Sequence, residues 1–266
     1  MEVNKIYNEN CLDTMARMPD GFIDLTVTSP PYDNLRTYNG YSFDFESIAK
    51  ELFRVTKTGG VVVWIVGDAT VNGSETGTSF RQALYFMECG FRLHDTMIYK
   101  KKNFVPLTHN RYEQAFEYMF VFSKKKPKAF NSIKELSIYP GMVNDRSLNK
   151  KAETDKNYSV RMRDEKCTTS AHKIKCNVFE YAVGIENEKE VKSHPAIFPE
   201  RLAKDHIYSW SNKGDLVYDP FMGSGTTAKM AHLLKRNWIG SEISPEYVEI
   251  AEKRIRPYLQ QQMLEF

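Results

Sequence analysis

The stretch Leu216-Val217-Tyr218-Asp219-Pro220-Phe221-Met222-Gly223-Ser224-Gly225-Thr226-Thr227 (LVYDPFMGSGTT) reads as a short buried strand, a glycine-rich turn and the start of a helix. Glycines at such a turn let the backbone bend tightly and approach a ligand, and the first helical turn presents free N–H donors. Two common phosphate loops are excluded: there is no G-x-x-x-x-G-K-[ST], and the third glycine of a dinucleotide fingerprint is missing. Glu242 follows 17 residues after Gly225, at the end of the next strand candidate, where a carboxylate can accept both hydroxyls of a ribose. Glycine turn plus ribose acid points to a ligand that carries adenosine.

Working outward, the chain alternates strand and helix patterns on both sides of a long irregular region. Phe22–Val27 and the continuously apolar Val61–Val66 read as strands, the second as one covered on both faces. Phe45–Val55 has apolar residues three and four apart and is expected to stop near Gly59-Gly60. A helix from a Thr78 or Ser79 cap to Gly90 and strands at Arg92–Tyr99 and Phe116–Phe122 complete the first half. After the irregular region the pattern predicts helices at Pro199–Ser211 and Thr226–Lys235, a strand at Trp238–Gly240, and a last helix capped by Ser244 with Pro245 in its first turn. The expected fold is α/β, one doubly wound, mostly parallel sheet whose two sequence halves flank a small basic lobe, with ligands at the carboxyl ends of the strands. The expected division is 1–123, 124–192 and 193–266.

Composition is that of an ordinary globular protein, with 41% hydrophobic and 27% charged residues in 266. The net charge is only +3, yet Lys124–Lys175 holds 14 Lys/Arg against 6 Asp/Glu. A polyanion is the expected partner of that segment; a solvated lysine-rich insertion is the other reading. Cys11, Cys89, Cys167 and Cys176 form no C-x-x-C pair, which argues against a disulfide framework or zinc ribbon. Cys167, His172 and Cys176 are close in sequence, but no fourth ligand is evident and no metal is assigned. The opening MEVNKIYNENCLD has no apolar run of signal-peptide type, and no segment reaches the roughly 18 apolar residues of a membrane span. A cytoplasmic location, with no membrane partner, is the expectation.

Thr28-Ser29-Pro30-Pro31-Tyr32 (TSPPY) leaves the first strand candidate. A Pro-Pro pair there commonly does no more than end a strand. Together with Asp219–Thr226, Glu242 and His194-Pro195-Ala196-Ile197-Phe198-Pro199-Glu200-Arg201-Leu202, however, it resembles the permuted beta group of S-adenosylmethionine-dependent DNA amino-methyltransferases. In that group an S/D/N-P-P-Y corner comes first, a DNA-recognition region second, then an H-P-A-x-F-P-x-x-L element and the glycine loop. All four landmarks occur here in that order, over nearly the whole chain outside the basic lobe.

The resemblance implies a circularly permuted, Rossmann-like methyltransferase fold, S-adenosyl-L-methionine as cofactor and double-stranded DNA as substrate. Asp219, Phe221, Gly223, Ser224, Gly225 and Thr226 would line the cofactor pocket, Glu242 would hold the ribose, and Pro195, Phe198 and Pro199 would lie near the methionine moiety. Members commonly carry Gly-Asp before Cys-Leu near the amino terminus; here the place reads Glu9-Asn10, and Asn10 keeps an acceptor oxygen but no charge. Ser29, Pro30, Pro31 and Tyr32 would be the catalytic corner: the Ser29 hydroxyl and Pro30 carbonyl accepting the hydrogens of an exocyclic amine, Tyr32 stacking on an extruded base. A Ser in the first place is associated in the family with cytosine N4, an Asp with adenine N6. Carbon-5 methylation requires a thiolate, usually from a Pro-Cys pair, and the chain has none. Phe104 and Tyr112 would flank the target base, and Arg146, Lys150, Lys151, Lys156, Arg161, Arg163, Lys173 and Lys175 are candidates for DNA phosphate contacts. A cognate restriction endonuclease is a candidate partner, and monomer and homodimer both stay open. An RNA or protein N-methyltransferase usually places its glycine loop before the Pro-Pro-Tyr corner. A non-enzymatic nucleic-acid-binding descendant predicts a broken corner or glycine loop. Neither pattern is the one found.

Overall fold

In the computed structural model, residues 1–31, 43–104, 111–144, 167–182 and 199–261 are described. Eight strands form one sheet: β1 (Lys5–Tyr7), β2 (Ile23–Thr28), β3 (Thr56–Val66), β6 (Arg92–Lys101), β7 (Phe116–Ser123), β12 (Val178–Tyr181), β13 (Leu216–Asp219) and β14 (Asn237–Ser241). The helices are α1 (Cys11–Ala16), α2 (Phe45–Val55), α3 (Thr78–Glu88), α4 (Glu200–Trp210), α5 (Thr226–Leu233) and α6 (Pro245–Gln261). Six short strands form three two-stranded ribbons: β4 (Thr70–Val71) pairs β5 (Ser74–Glu75), β8 (Lys134–Leu136) pairs β11 (His172–Ile174), and β9 (Val143–Asn144) pairs β10 (Cys167–Thr168). No helix among the described residues is long and apolar enough to cross a membrane.

The sheet order is β1-β14-β13-β2-β3-β7-β6-β12. The first five strands run parallel; β7 is antiparallel to both β3 and β6, and β12 closes the far edge parallel to β6. Both faces are covered. Cys11 and Met15 of α1, Ile48 and Leu52 of α2, and Phe86 of α3 bury one face with Val62, Trp64, Phe120 and Tyr218. The alternate residues Leu25, Val27, Val61, Val63, Ile65 and Val217 are equally buried, while α4 and α5 pack on the sheet and α6 packs on α5. This is why these strands lack a polar face. From β2 the chain proceeds to β3 on one side, and from β13 to β14 on the other, so β2 and β13 bracket a topological switch point. In open α/β sheets the ligand crevice lies at the carboxyl ends of such strands.

At the opposite end of the same strands, Asp24 holds the frame together. Its buried carboxylate accepts the Leu216 amide (2.9 Å), the Lys57 ammonium (2.7 Å) and the Lys128 ammonium (2.5 Å). Burial pulls its pKa upward, but the Leu216 amide and the two ammonium groups outweigh burial and leave it below the ordinary value. Lys124 serves a similar end: its ammonium donates to the Phe53 and Thr56 carbonyls at 2.7 and 2.9 Å. Two lysines counted in the basic stretch thus belong to the scaffold.

The chain divides into two compact units, Met1–Asn131 with Asn177–Phe266, and Ser132–Cys176. The charge-based limits 124 and 192 fall outside the smaller unit, because Lys124–Asn131 binds the main body and Val178–Tyr181 is its edge strand. The smaller unit is built of the β8–β11 and β9–β10 ribbons, extended by Ser137 N–H to Ala171 O and Gly141 N–H to Thr169 O, both 2.9 Å.

Two local expectations are corrected. Gly59 and Gly60 do not end α2, which stops at Val55; they lie inside β3, where the register jumps from Ile23↔Thr56 to Leu25↔Val61 and the intervening residues bulge. The N-cap of α3 is Gly77, and the first turn is satisfied by the side chain of Asp68, which accepts the Ser79 amide at 2.9 Å. The short elements β1, α1 and β12 carried no clear sequence pattern.

Because the folded-state pKa of Asp24 is depressed, its contribution to stability is present above about pH 4 and lost as pH falls through the folded value. D24A orphans the buried Leu216 amide and the half-exposed Lys57 ammonium, leaves Lys128 with Asp215 alone, and should cost about 2–3 kcal/mol at pH 7. Chemical denaturation at pH 7 and pH 3.5 checks both points: the gap between D24A and the parent chain should shrink at the lower pH.

Candidate active site

The carboxyl ends of β2 and β13 meet through side chains. Val217 pairs with Leu25 and Tyr218 with Thr26, so Asp219 falls opposite Val27 and within diagonal reach of Thr28. The Thr28 hydroxyl donates to Asp219 Oδ1 at 2.7 Å, wholly buried. A second tie runs from the first turn of α5, where Thr227 Oγ1 donates to Val27 O at 3.3 Å. Ser29 and Pro31 follow half-buried, with Pro30 buried between them. The corner and the glycine loop therefore share one edge of the sheet.

The loop itself is fixed from the strand side. Phe221 N–H donates to Asp219 Oδ1 (3.0 Å), Met222 N–H to Ser241 O (2.9 Å), and Gly223 N–H to Glu242 Oε2 (2.8 Å). Gly225 stands at the N-cap of α5 with φ +81°, a left-handed conformation, and a Cβ there would lie 2.9 Å from Ala251 Cβ. Glu242 is locked by amides on both oxygens, the second from Ser244 at 2.9 Å. β1 and its exit complete the edge: Glu242 N–H donates to Tyr7 O at 3.0 Å, and Asn8 Nδ2 donates to Glu242 O at 2.8 Å.

Both carboxyls are electrostatically primed. Burial pushes Asp219 up to about 6, against the pull of the Thr28 and Thr227 hydroxyls and the Phe221 amide. Its Oδ2 is buried without a hydrogen-bond partner among the described residues. Burial also raises Glu242, against the pull of the backbone amides at 244, 223 and 243. Each Glu242 oxygen accepts one amide and keeps a lone pair, so the pair suits a vicinal diol. That donor set, with the orphan Asp219 oxygen and a loop too tight for a Cβ, fits an adenosine-bearing cation. Cys11 lies at the same edge, but burial pushes its thiol up to about 12, so it is no nucleophile near neutrality.

Of the residues expected in the site, Ser29, Pro30, Pro31, Asp219, Phe221, Gly223, Ser224, Gly225, Thr226 and Glu242 converge on this edge. Phe221 is half-buried and packs edge-on against Trp64 and Phe43, with ring centroids 6.3 and 5.7 Å away. Asn10 caps α1, its side chain accepting Leu12 N–H at 2.9 Å. Pro199 is the buried N-cap of α4. Tyr32, Pro195, Phe198, Arg146, Lys150, Lys151, Lys156, Arg161 and Arg163 lie outside the described residues. Phe104 and Tyr112 are both surface residues, Tyr112 fully exposed. In the smaller unit, Lys173 pairs with Glu135 at 3.2 Å, and the Lys175 amide donates to Ile133 O. Among the described residues no group of three potential ligands could hold a metal. Sequence reasoning missed Thr28, Tyr7 and Asn8; their roles depend on strand neighbours that no local pattern announces.

Residues 23–253 match the family described as DNA methylase. The chain is 54% identical over 245 residues to the orphan methyltransferase M.BamHII of Bacillus amyloliquefaciens, covering 90% of this chain and 91% of that one. It is 28% identical over 300 residues to the type II methyltransferase M.MthZI of Methanothermobacter thermautotrophicus, covering 96% and 77%. Among solved structures, the cytosine-N4-specific PvuII DNA methyltransferase shares the fold with a TM-score of 0.69 at 22% identity, over 97% of this chain and 91% of that one. The M1.HpyAVI–SAM complex does so with a TM-score of 0.59 at 23% identity, over 94% and 98%.

A methyl group at Gly225 would meet α6 in a conformation L-residues resist, so G225A should lower stability by roughly 2 kcal/mol or more and abolish adenosine-ligand binding; thermal melts and calorimetric titration check this. Asp219 has a folded pKa raised above its unfolded value near 4, so its protonated form favours the fold. That contribution is present below about pH 4 and is lost as pH rises through 6, on the order of 3 kcal/mol in all. D219N should correspondingly flatten the fall in melting temperature between pH 5 and pH 8.

Proposed function

This chain belongs to the DNA methylase family, whose members take methyl groups from S-adenosyl-L-methionine, and on that footing we propose that it methylates the N4 amine of cytosine in DNA. The observation that carries the reading is the buried Thr28–Asp219 hydrogen bond, which sets the Ser29-Pro30 corner beside the glycine loop. When bound, S-adenosylmethionine supplies a methyl group on a sulfonium, an electrophile active enough to need no covalent enzyme intermediate. Glu242 would hold the ribose hydroxyls. Asp219, Phe221 and residues 223–226 would line the rest of the cofactor site, with Asn10, Pro195, Phe198 and Pro199 around it.

An exocyclic amine is a weak nucleophile because its lone pair is delocalised into the ring. The Ser29 hydroxyl and the Pro30 carbonyl would each accept one of its hydrogens, drawing the nitrogen toward tetrahedral geometry and localising the lone pair. Pro30 and Pro31 fix φ, so the acceptors are held before the base arrives. Tyr32 would stack on a base turned out of the duplex, with Phe104 and Tyr112 beside it. The smaller unit, residues 132–176, would contact DNA through Arg146, Lys150, Lys151, Arg161, Arg163, Lys173 and Lys175.

Ser29 is what favours cytosine over adenine N6. Its neutral hydroxyl both accepts and donates, whereas an ionised Asp only accepts. Nucleoside mass spectrometry of DNA incubated with the protein and methyl-labelled S-adenosylmethionine tests the choice. Labelled N4-methylcytosine is expected; N6-methyladenine in its place would overturn the base assignment while leaving the reaction class. S29A should lower kcat by about 10²-fold or more, with affinity for S-adenosylmethionine within about threefold of the parent because Ser29 acts on the base.

A further inference from the structure

The glycine loop is also held from behind, by α6. Ala251, Arg254, Ile255 and Tyr258 share one face of that helix at helical spacing. Ala251 and Ile255 lie against Gly225, within 2.9 and 3.1 Å of where a Cβ would stand. Between them the buried Arg254 guanidinium reaches the loop: Nη1 is 3.1 Å from Ser224 O, 3.2 Å from Ser224 Oγ and 2.9 Å from Thr226 Oγ1. Its other terminal nitrogen, Nη2, pairs with Glu200 Oε1. The same carboxylate oxygen accepts the buried Lys229 ammonium of α5 at 2.7 Å, and that ammonium sits 4.8 Å from the Tyr258 ring centroid. Glu200 is the first residue of α4, directly after Pro199.

A buried ion pair by itself adds little net stability, since desolvation offsets the attraction. What Arg254 adds is direction. Its fork fixes the carbonyl of the peptide that leads into left-handed Gly225, and the hydroxyl of the first residue of α5. The loop N–H groups on the other side of those peptides are thereby aimed. Through Glu200 the same fork reaches the start of α4, within the H-P-A-x-F-P-x-x-L element.

We propose that Arg254 is a positioning residue for the methyl-donor site, with Glu200 as the joint through which it aligns the glycine loop with the start of α4. The inference rests on the reading that residues 219–226 bind S-adenosylmethionine. Lysine at 254 keeps the charge but offers one ammonium where the fork spans several acceptors, so it should not substitute fully. In steady-state kinetics with the full chain, R254Q and R254K should raise KM for S-adenosylmethionine about tenfold or more. KM for DNA and kcat at saturating cofactor should stay within about threefold. E200Q, which weakens the pairing while keeping shape, should fall between these and the parent. Circular dichroism reports whether each variant folds; if R254Q does not, R254K decides. A folded Arg254 variant with parental KM for S-adenosylmethionine, or one in which kcat and both KM values change together, overturns the proposal. A parent chain that binds no S-adenosylmethionine instead defeats the functional reading on which it rests.

Discussion

The hydrogen bond from Thr28 to Asp219 joins residues 191 positions apart, and the rest of the site depends on it. A chain that carries its amine-orienting corner near one end and its cofactor loop near the other has a single site only if those strands are neighbours. Parallel pairing of β2 and β13 makes them so, and the hydroxyl–carboxylate bond, buried and charge-assisted, is of the class that contributes about 1.5–3 kcal/mol. Asp24 does the matching work at the other end of the same strands, taking the Leu216 amide of β13 onto a side chain of β2. Register is thus specified twice, once beneath the site and once within it.

The two ends use carboxylates in opposite ways. Asp24 is buried with its positive partners in place and its pKa lies low; Asp219 and Glu242 are buried without a cation on them among the described residues, and their pKa values lie high. A site that keeps acidic groups in an uncomfortable state is a site shaped for what it binds, and the cost in stability is borne by the scaffold. The same accounting sorts the basic residues. Lys124 and Lys128 are consumed by carbonyls and by Asp24 and Asp215, so the phosphate contacts proposed above fall to the charges beyond them.

Much of this was legible in the sequence because it rests on strong local signals. Val61–Val66 is apolar throughout, since both faces of β3 are covered, and Gly223-Ser224-Gly225 reads as a turn because only glycine takes the backbone there at little strain. The adjacency of β2 and β13 was legible only through the order of the motifs. Other features left no trace. β1 is three residues long with one of them buried, too short to show a period. Gly59 and Gly60 look like a helix stop, yet they permit a bulge in β3. Arg254 appears as one more basic residue on an amphipathic helix; its burial and its four oxygen partners arise only once α4, α5 and the glycine loop are packed around it.

The central claim is that the cofactor loop and the Ser29-Pro30 corner face one cavity. A crystal structure of the protein with sinefungin, which replaces the transferable methyl by an amine, tests it most directly. The account predicts the ribose on Glu242, the adenosine along residues 219–226, and the amine directed at the Ser29 hydroxyl and Pro30 carbonyl with room for one base between them. Adenosine bound elsewhere, or an amine turned away from that corner with protein packed between, would contradict it.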